Sequence, residues 1–302
     1  MAVKGFININ KPINMTSSDV VVKVRGILRK ALGERPKVGH LGTLDPLGSG
    51  VLPIAVGTAT RLFDHCIDKV KVYETTFKFG VETDTLDRAG KVCRTCDIIP
   101  TKQQIAEVLS EFEGEQDQIP PQYSAKSVNG VRAYDLARAG IDVELKPKRI
   151  NVYSIKFLED NDGEVDLQNG KYRLETGEYA FEIACSGGTY IRSIARDLAK
   201  RLSSCAYMTS IHRVKSGNFE ITDAVSLSDF EQDPLSYIQP IDVVIKDMSV
   251  FELPAECAKH ALNGIDLHFD DLPDTPFAVK CEGEMVGMAE NIKGAMHLKT
   301  RL

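Results

Sequence analysis

The pattern of apolar and polar positions along the chain predicts a mixture of strands and helices. Residues 5–10 alternate between apolar and polar side chains in the manner of a strand, and a Lys-Pro pair ends the run. A helix is predicted next, capped by Thr16 or one of the two serines that follow it, and running toward Leu32. One face of this helix is apolar and comprises Val20, Val24, Ile27, Leu28 and Ala31. The helix is therefore expected to pack on a core.

Segments with the two-residue period of strands and segments with the 3.6-residue period of helices continue along the chain. Further strands are predicted at residues 52–56, 71–80, 149–158 and 179–185, and further helices at residues 58–67, 105–112 and 189–202. Residues 118–149 combine turn-forming pairs with interleaved aromatic and basic side chains, which is typical of a protruding arm rather than of a core. From about residue 248, short strands separated by glycine and proline predict a small β-rich unit.

The charge of the chain is unevenly distributed, which changes what its sum implies. The formal net charge of −6 comes from 37 basic and 43 acidic residues. Residues 217–302 contain 6 of the basic and 16 of the acidic ones, which leaves 31 basic and 27 acidic residues before them. Because the local charge determines the field that an approaching polyanion meets, RNA binding stays open for the first part of the chain. Any single basic cluster equally fits a solvated helix face.

The cysteines and the start of the chain bear on the cellular compartment. Seven cysteines are an odd number and lie far apart, which predicts a reducing cytosol and no disulfides. Cys93 and Cys96 have the spacing of a metal-binding pair, but a second pair and a nearby histidine are lacking, so we expect no metal. No run of eighteen apolar residues exists, and the first residues do not resemble a signal peptide. We expect a soluble, cytoplasmic protein without a membrane partner.

A glycine-rich segment, GHLGTLDPLGSGVLP, holds one acid that could carry chemistry. Pro46 restricts Asp45 to an extended or turn conformation, and the flanking glycines would let a substrate backbone come close. The spacing does not match a phosphate-binding loop, and the acid would repel a phosphate. A surface turn between a helix and a strand explains the same residues. Spacing alone therefore does not separate a catalytic carboxylate from a turn.

Five segments together resemble the TruB family of tRNA pseudouridine-55 synthases. In chain order they are KPINMTSSD, GHLGTLDPLGSGVLP, PPQYSAKSVNGVRAYDLARAG, CSGGTYIRSIARDL and IHRVKSGNF. The arm resembles the thumb insertion of the stand-alone bacterial-type enzymes, which the RNA-guided relatives lack. The resemblance implies that one uridine in the T-loop of tRNA, at position 55, is isomerised to pseudouridine. It also implies that no cofactor and no guide RNA are needed.

The resemblance assigns the chemistry to four residues. Asp45 corresponds to the catalytic carboxylate, which attacks the sugar or the base as a nucleophile or assists cleavage of the glycosidic bond. Arg192 corresponds to the arginine that pairs with this carboxylate and keeps it ionised. Tyr73 corresponds to the tyrosine that stacks on the target base, with a role in proton transfer, and Tyr190 to a second tyrosine near the ribose. Core packing would explain either tyrosine without the resemblance.

Further residues are implied to bind the RNA. Ile211 corresponds to the apolar wall of the pocket, and His40 to the histidine that fills the stack when the target uridine flips out. Phosphate contacts are implied for Lys11, Lys23, Arg25, Lys126, Arg132, Arg138 and Arg213. Binding of tRNA is therefore expected to weaken with salt.

Three positions depart from the family pattern. Asn14 stands where the family usually has glycine, which is tolerable because asparagine enters the left-handed backbone conformation more readily than most residues. Gly187 replaces a common lysine, and His212 replaces one of two adjacent arginines. The last two changes remove positive charge, so they put affinity for RNA in doubt rather than chemistry.

The pattern and the resemblance predict an α/β (α+β) fold with a large mixed, mainly antiparallel sheet flanked by helices. We expect a catalytic domain over residues 1–247 with a thumb arm at about residues 118–149, followed by a PUA-like β-rich domain over residues 248–302. The protein is expected to act as a monomer on the T-arm stem-loop of tRNA. The alternative is a protein that binds or folds tRNA without turnover. A nucleoside hydrolase is disfavoured, because activating water needs a second acid or base beside Asp45.

Overall fold

Strands and short helices alternate along the chain. The structure, a computed structural model, describes residues 3–66, 69–124, 126–128, 130–141, 143–159, 163–167 and 170–302. The strands of the first half are β1 (Gly5–Lys11), β2 (Val38–His40), β3 (Ser49–Val56), β4 (Lys71–Phe79), β5 (Val81–Thr83), β6 (Val92–Thr95), β7 (Gly114–Gln118), β8 (Ser127–Val128), β9 (Val131–Arg132) and β10 (Lys148–Phe157). Those of the second half are β11 (Glu164–Leu167), β12 (Gly170–Arg173), β13 (Glu178–Cys185), β14 (Ala206–Ser216), β15 (Phe219–Glu220), β16 (Val250–Glu252), β17 (Leu267–His268), β18 (Phe277–Cys281), β19 (Glu284–Ile292) and β20 (Ala295–Arg301). The helices are α1 (Ser17–Leu32), α2 (Phe63–Cys66), α3 (Lys102–Leu109), α4 (Ala133–Arg138), α5 (Ile191–Arg201), α6 (Leu227–Gln232) and α7 (Ala255–Leu262).

A large sheet forms the centre of the molecule. Within the described ranges it has nine strands, in the order β1-β3-β14-β4-β13-β10-β7, with β2 paired to β3 and β15 paired to β14. β14 runs parallel to β3, and the other neighbours run antiparallel. The predicted mixed, mainly antiparallel sheet is thereby confirmed. One core joins the sheet to α3 and α5, and another joins β1 and β3 to α1 and α6.

The first helix follows the predicted signals closely. Thr16 caps α1, and its hydroxyl accepts a hydrogen bond from the backbone N–H of Asp19. The Asp19 carboxylate accepts a return bond from the backbone of Thr16, which completes a capping box. Gly33 ends the helix in the left-handed conformation, with φ 74°. The predicted apolar face is buried at Val20, Val24, Ile27 and Leu28, but Ala31 in the last turn is exposed.

Other boundaries differ from prediction for local reasons. The predicted helix at residues 58–67 is a 3-10 turn over Gly57–Leu62 followed by the short α2. Because Thr101 supplies a capping box, α3 begins three residues earlier than its apolar pattern indicates. The predicted arm contains the β8–β9 hairpin and α4 before the chain returns at β10. None of the helices in these ranges is long and apolar enough to cross a membrane.

The C-terminal part forms a second, five-stranded sheet. Its order is β16-β18-β19-β20-β17, and α7 packs against it, a helix that the sequence pattern did not predict. Met285 and Met288 from β19 share a core cluster with Phe6 of β1. Arg61 also donates a hydrogen bond of 2.9 Å to the carbonyl oxygen of Arg301. The predicted β-rich unit is present, and it contacts the large sheet through apolar side chains and the 3-10 turn Gly57–Leu62 through a hydrogen bond.

The expectation that no disulfide forms is wrong. Cys96 and Cys205 are bonded, with their Cα atoms 5.9 Å apart and a sequence separation of 109. The backbone brings them together at the end of β4, where Gly80 donates its N–H to the carbonyl oxygen of Cys205 and accepts one from Cys96. Cys93, the other half of the CxxC spacing, is exposed and free. The partner of Cys96 is therefore a cysteine far away in sequence, and not Cys93.

Candidate active site

Asp45 lies on the loop that joins β2 to β3, residues 41–48, which we call the Asp45 loop. The buried hydroxyl of Ser17, at the start of α1, donates to the carbonyl oxygen of Leu44 at 3.1 Å and accepts from its N–H at 2.9 Å. The N–H of Gly48 donates to the carbonyl oxygen of Asp45 at 2.9 Å, so the loop turns directly after the acid. These bonds fix the backbone on both sides of the carboxylate.

Unusual backbone conformations support both ends of the Asp45 loop. Asn14 has φ 64°, as predicted for an asparagine at a glycine position, and its N–H donates to the carbonyl oxygen of Pro46 at 2.7 Å. Gly50 has φ 101°, and a Cβ there would collide with the carbonyl oxygen of Arg213. Gly50 therefore permits pairing of the protein's own strands, not the close approach of a substrate that we predicted from the sequence.

Lys11 is fully buried beneath the Asp45 loop, which corrects the prediction that it meets phosphates. Its Nζ donates to the carbonyl oxygens of Pro12 at 2.8 Å, Met15 at 2.6 Å and Pro46 at 3.4 Å. Burial lowers the pKa of Lys11 to about 8, and the nearby charge of Asp45 opposes part of this shift. Lys11 is therefore an internal cation that ties the loop to the end of β1.

Arg213 is likewise buried, and the prediction of a phosphate contact is corrected for it too. Its guanidinium donates to the carbonyl oxygens of Val51 at 2.7 Å, Gly42 at 3.2 Å and Thr43 at 3.4 Å. The side chain projects from β14 and spans from β3 to the Asp45 loop. Because a guanidinium can satisfy several carbonyls in a fixed geometry, Arg213 holds the beginning of this loop in place.

Asp45 and Arg192 form a two-point ion pair, as the resemblance implies. Nε of Arg192 lies 2.9 Å from Oδ2 of Asp45, and Nη2 donates to Oδ1 at 3.1 Å. The side chain of Arg192 is 7% exposed, whereas that of Asp45 is 33% exposed. A bidentate pair fixes the plane of the carboxylate. One part of this carboxylate therefore stays accessible to a substrate while its orientation is set from behind.

Sequence reasoning missed Asp87, a second carboxylate at Arg192. Nη1 of Arg192 lies 3.4 Å from Oδ2 of Asp87 and donates to the carbonyl oxygen of Thr85 at 3.0 Å. The other oxygen of Asp87 accepts from the hydroxyl of Thr85 at 2.7 Å and from the N–H of Ala89 at 3.0 Å. Nη2 of Arg192 also donates to the carbonyl oxygen of Tyr123, at the base of the predicted arm. Arg192 thus joins segments that are far apart in sequence.

The two predicted tyrosines occupy different surroundings. Tyr73 on β4 is buried and belongs to one core cluster with Leu44 of the Asp45 loop. Burial raises the pKa of Tyr73 to about 12, so its phenol keeps its proton at neutral pH. Tyr190 precedes α5 and is held by Gln118, whose side-chain amide bonds both its N–H at 2.8 Å and its carbonyl at 3.1 Å. Tyr73 therefore packs in the same core as the residue before Asp45, and Tyr190 lies two residues before Arg192.

His40 and Ile211 flank the Asp45 loop. His40 ends β2 and is half-buried, and its Nδ1 is a buried atom with no hydrogen-bond partner among the described residues. Burial, with a further contribution from the charge of Arg213, lowers the pKa of His40, so the ring is neutral at pH 7. Ile211 is buried on β14, and its Cγ2 would lie 3.2 Å from a Cβ added at Gly48. It therefore packs against the turn that follows Asp45.

The remaining predicted cations lie outside the ion-pair centre. Lys126 donates to the carbonyl oxygen of Lys146 at 3.2 Å, within the arm. Arg138 is exposed on α4, and its guanidinium carbon lies 5.6 Å from the ring centre of Tyr134. The side chain of Arg132 lies outside the described residues. Two arm cations are therefore placed where a polyanion could reach them.

Helix α1 adds a second basic surface. Lys23 is exposed, as are Arg29 and Lys30 in the last turn of the helix. Arg25 is half-buried, and its Nη2 donates to the carbonyl oxygen of Val38 in β2 at 3.2 Å. Arg25 therefore connects α1 to the strand that leads into the Asp45 loop, and the outer lysines and arginine remain open to solvent.

Gly187 and His212, which stand where the family usually has basic residues, have different surroundings. The carbonyl oxygen of Gly187 accepts a hydrogen bond of 3.1 Å from Nζ of Lys148, so an ammonium still lies at this turn. His212 is 1% exposed and shares a hydrogen bond of 2.8 Å with the hydroxyl of Ser49. Burial lowers the pKa of His212 to about 4. His212 is a neutral core residue, so our expectation that it weakens an RNA contact is corrected.

Comparison with known proteins relates this site to one family. The model of the "TruB family pseudouridylate synthase (N terminal domain)" matches residues 29–191. A tRNA pseudouridine synthase B of Clostridium kluyveri is 39% identical over 294 residues, covering 95% of each chain. The protein of the same name from Lactobacillus acidophilus is 41% identical over 255 residues, covering 83% of this chain and 82% of that one.

Solved structures show the same fold at lower sequence similarity. A chain of a Cbf5-Nop10-Gar1 complex matches 98% of this chain with a TM-score of 0.69 and 24% identity. A chain of an H/ACA RNP bound to a substrate RNA containing 2′-deoxyuridine matches the same share with a TM-score of 0.68 and 22% identity. At these identities the likeness establishes the architecture of both sheets.

Proposed function

The chain belongs to the TruB family of pseudouridylate synthases, and from this premise we propose that it isomerises uridine 55 in the T-loop of tRNA to pseudouridine. The observation that supports this most directly is the pairing of Asp45 with Arg192, in which a fixed carboxylate keeps a third of its surface accessible. A carboxylate held in this way meets each bound substrate in the same orientation, which favours catalysis. The predicted catalytic residues are Asp45, Arg192 and Tyr73.

The reaction needs no net gain or loss of atoms, and one carboxylate suffices to begin it. Asp45 either attacks C1′ of the ribose or the base as a nucleophile, or removes a proton from the sugar as the bond from C1′ to N1 breaks. The freed uracil then turns, C5 bonds to C1′, and the proton on C5 is released while N1 gains one. Arg192 orients Asp45 and balances its charge throughout.

The neighbouring residues would hold the base and the ribose. A protonated phenol at Tyr73 suits stacking on uracil and hydrogen-bond donation. Ile211 would form the apolar wall, and Tyr190 would lie near the ribose. His40 would enter the stack that the flipped uridine leaves, where its unpartnered Nδ1 could meet a base edge.

The partner in this proposal is the T-arm of tRNA, bound without a guide RNA by a monomer in the cytoplasm. A single chain brings Asp45 and Asp87 to Arg192, so the ion-pair centre needs no residue from a second copy. Lys126, Arg132 and Arg138 on the arm and Lys23 on α1 would meet phosphates. Residues 217–302 carry an acidic excess, so the proposed PUA-like domain over residues 248–302 would make at most a small contribution to phosphate binding.

Tritium release from C5-labelled uridine in a T-arm stem-loop tests the proposal. We expect release by the purified chain without any added RNA, and none from a stem-loop with cytidine at position 55. We expect Asp45→Asn to abolish release while tRNA binding changes only a few-fold, because this carboxylate does not neutralise phosphate. Asp166→Asn, on the exposed side of β11, is the matched control and should behave as the parent does.

Two outcomes would favour another function. Binding of the stem-loop with no tritium release by the parent chain would identify a tRNA-binding protein without turnover. Appearance of free uracil would identify a hydrolase. Normal release by Asp45→Asn would remove Asp45 from the catalytic role.

A further inference from the structure

One strand contains an extra residue at the point where it reaches the candidate active site. β14 pairs with β4 so that Met208 lies opposite Phe77 and Ile211 lies opposite Thr75, with Thr209 left over between them. Phe77 and Thr75 are two residues apart and point to the same face of the sheet. Thr209 therefore forms a β-bulge.

The bulge decides which face of the sheet Ile211 and Arg213 occupy. In a regular strand, Met208 and Ile211 would point to opposite faces, because they are three residues apart. The extra residue places Met208 and Ile211 on the same face, which also carries Tyr73. Arg213 is the cross-strand partner of Tyr73 and therefore points to this face as well. Without the extra residue, every side chain after Met208 would turn to the other face. A second register shift follows directly after Arg213 and ends this re-aimed segment.

The two re-aimed side chains support the Asp45 loop directly. Ile211 packs beneath Gly48, and Arg213 binds the carbonyl oxygens of Gly42 and Thr43. They contact the loop on opposite sides of Asp45. The position of the carboxylate thus depends on the register of β14.

A polar cluster on the opposite face of the sheet holds the bulge in place. The hydroxyl of Thr209 has two acceptors for its one proton: the Glu178 carboxylate, which lies within hydrogen-bonding distance, and the carbonyl oxygen of Thr76 at 3.1 Å. The hydroxyl of Thr76 lies 2.6 Å from those of Thr209 and Ser210. Glu178 is buried and also accepts from the hydroxyl of Tyr172 at 2.9 Å. This cluster touches none of the residues assigned to chemistry.

We propose that Glu178 and Thr209 are positioning residues for catalysis, which act through the bulge from the far side of the sheet. The Glu178 contact fixes the hydroxyl of Thr209, and Thr209 fixes the register that presents Ile211 and Arg213 to the Asp45 loop. The assignment rests on the function proposed above, because it supposes that the loop carries the catalytic carboxylate. It adds a specific cause for the orientation of that loop.

Replacement of Thr209 by an isosteric side chain without the hydroxyl tests the assignment. We expect Thr209→Val to lower kcat at least ten-fold in the tritium assay, with the Kd for the stem-loop within two-fold of the parent value. Thr209→Ser keeps the hydroxyl and should restore kcat to within two-fold. Leu253→Ala is the control, since Leu253 is buried in the core of the C-terminal sheet and loses stability without touching Thr209, Glu178 or Tyr172.

A second measurement does not depend on turnover. Hydrogen exchange of the backbone amides in residues 41–48 should accelerate in Thr209→Val and stay at the parent rate in Leu253→Ala and Thr209→Ser. An unchanged kcat and exchange rate in Thr209→Val would overturn the assignment. The same losses of kcat and protection in Leu253→Ala, at the same thermal stability as Thr209→Val, would overturn it too. If the parent chain releases no tritium, the proposed function fails, and the exchange rates still decide whether the bulge holds the loop.

Discussion

Two segments border the candidate active site, and they are held by different means. The Asp45 loop is fixed from within by buried polar groups: Ser17, Lys11 and Arg213 bind its backbone or that of adjoining residues. The predicted arm, residues 118–149, instead exposes apolar and basic side chains that include Ile119, Val131, Tyr134, Arg138 and Ile141. Chemistry needs one geometry, whereas binding of a large polyanion needs accessible surface. Changes in the first segment should therefore affect turnover, and changes in the second should affect affinity.

Apart from the loss expected for Asp45→Asn, the largest effect comes from Asp87, the carboxylate that sequence reasoning missed. Asp87→Asn removes one of the two charges that hold Arg192, at a hydrogen-bonded site that is nearly buried. A bond between charged groups contributes about 1.5–3 kcal/mol, which corresponds to a loss in kcat of about 10- to 100-fold. Single-turnover assays with the stem-loop would measure the loss of rate. The Kd for the stem-loop should stay unchanged. Asp97→Asn, at an exposed position, is the control. A loss of affinity without a loss of rate would contradict the positioning role.

A smaller effect is expected on the pH dependence of stability, because His212 on β14 is buried in its neutral form. His212 has a pKa of about 4 in the folded chain and about 6.5 when unfolded, so the unfolded chain binds the extra proton between these values. Stability therefore falls as pH drops through this window, by about 2 kcal/mol between pH 7 and pH 5. His212→Gln should remove that part of the pH dependence in urea unfolding. His268→Gln, exposed on β17, should leave the difference between the two pH values as in the parent.

The smallest expected effects belong to the arm. Lys126→Ala and Arg138→Ala should each weaken tRNA binding by a few-fold and lower the slope of log Kd against log salt by about one, with kcat unchanged. Filter binding at several salt concentrations measures both quantities. Lys246→Ala, exposed in the acidic C-terminal part, should change neither. A drop in kcat with unchanged affinity would remove the distinction between loop and arm.

The sequence predicted the parts of this site that depend on neighbouring residues. The cap of α1, the position of the Asp45 loop ahead of a strand and the left-handed Asn14 all follow from local preferences. The pairing of Asp45 with Arg192 came from the family resemblance, since 147 residues separate the two. The α/β class with a mainly antiparallel sheet followed from the periodicities.

Burial of charge could not be predicted in the same way. Lysine and arginine usually lie at the surface, and the burial of Lys11 and Arg213 is tolerable because carbonyl groups accept their hydrogen bonds. Several of these carbonyls belong to segments far away in sequence. Asp87 lay in a turn-rich stretch, where the one signal was a threonine two residues before it that could bond its carboxylate. The disulfide between Cys96 and Cys205 depends on the backbone of Gly80, which no cysteine spacing reveals.

The position of β14 in the large sheet sets the order in which the protein can assemble. β14 lies between β3 and β4, although it is synthesised after both of them and after β13. Until it emerges from the ribosome, the chain holds two incomplete sheets, each with an open edge that can pair with another chain. The strand that supplies Arg213 to the Asp45 loop is thus also the strand that closes these edges. A nascent chain that stops before Ala206 would be prone to aggregation and would lack a formed site.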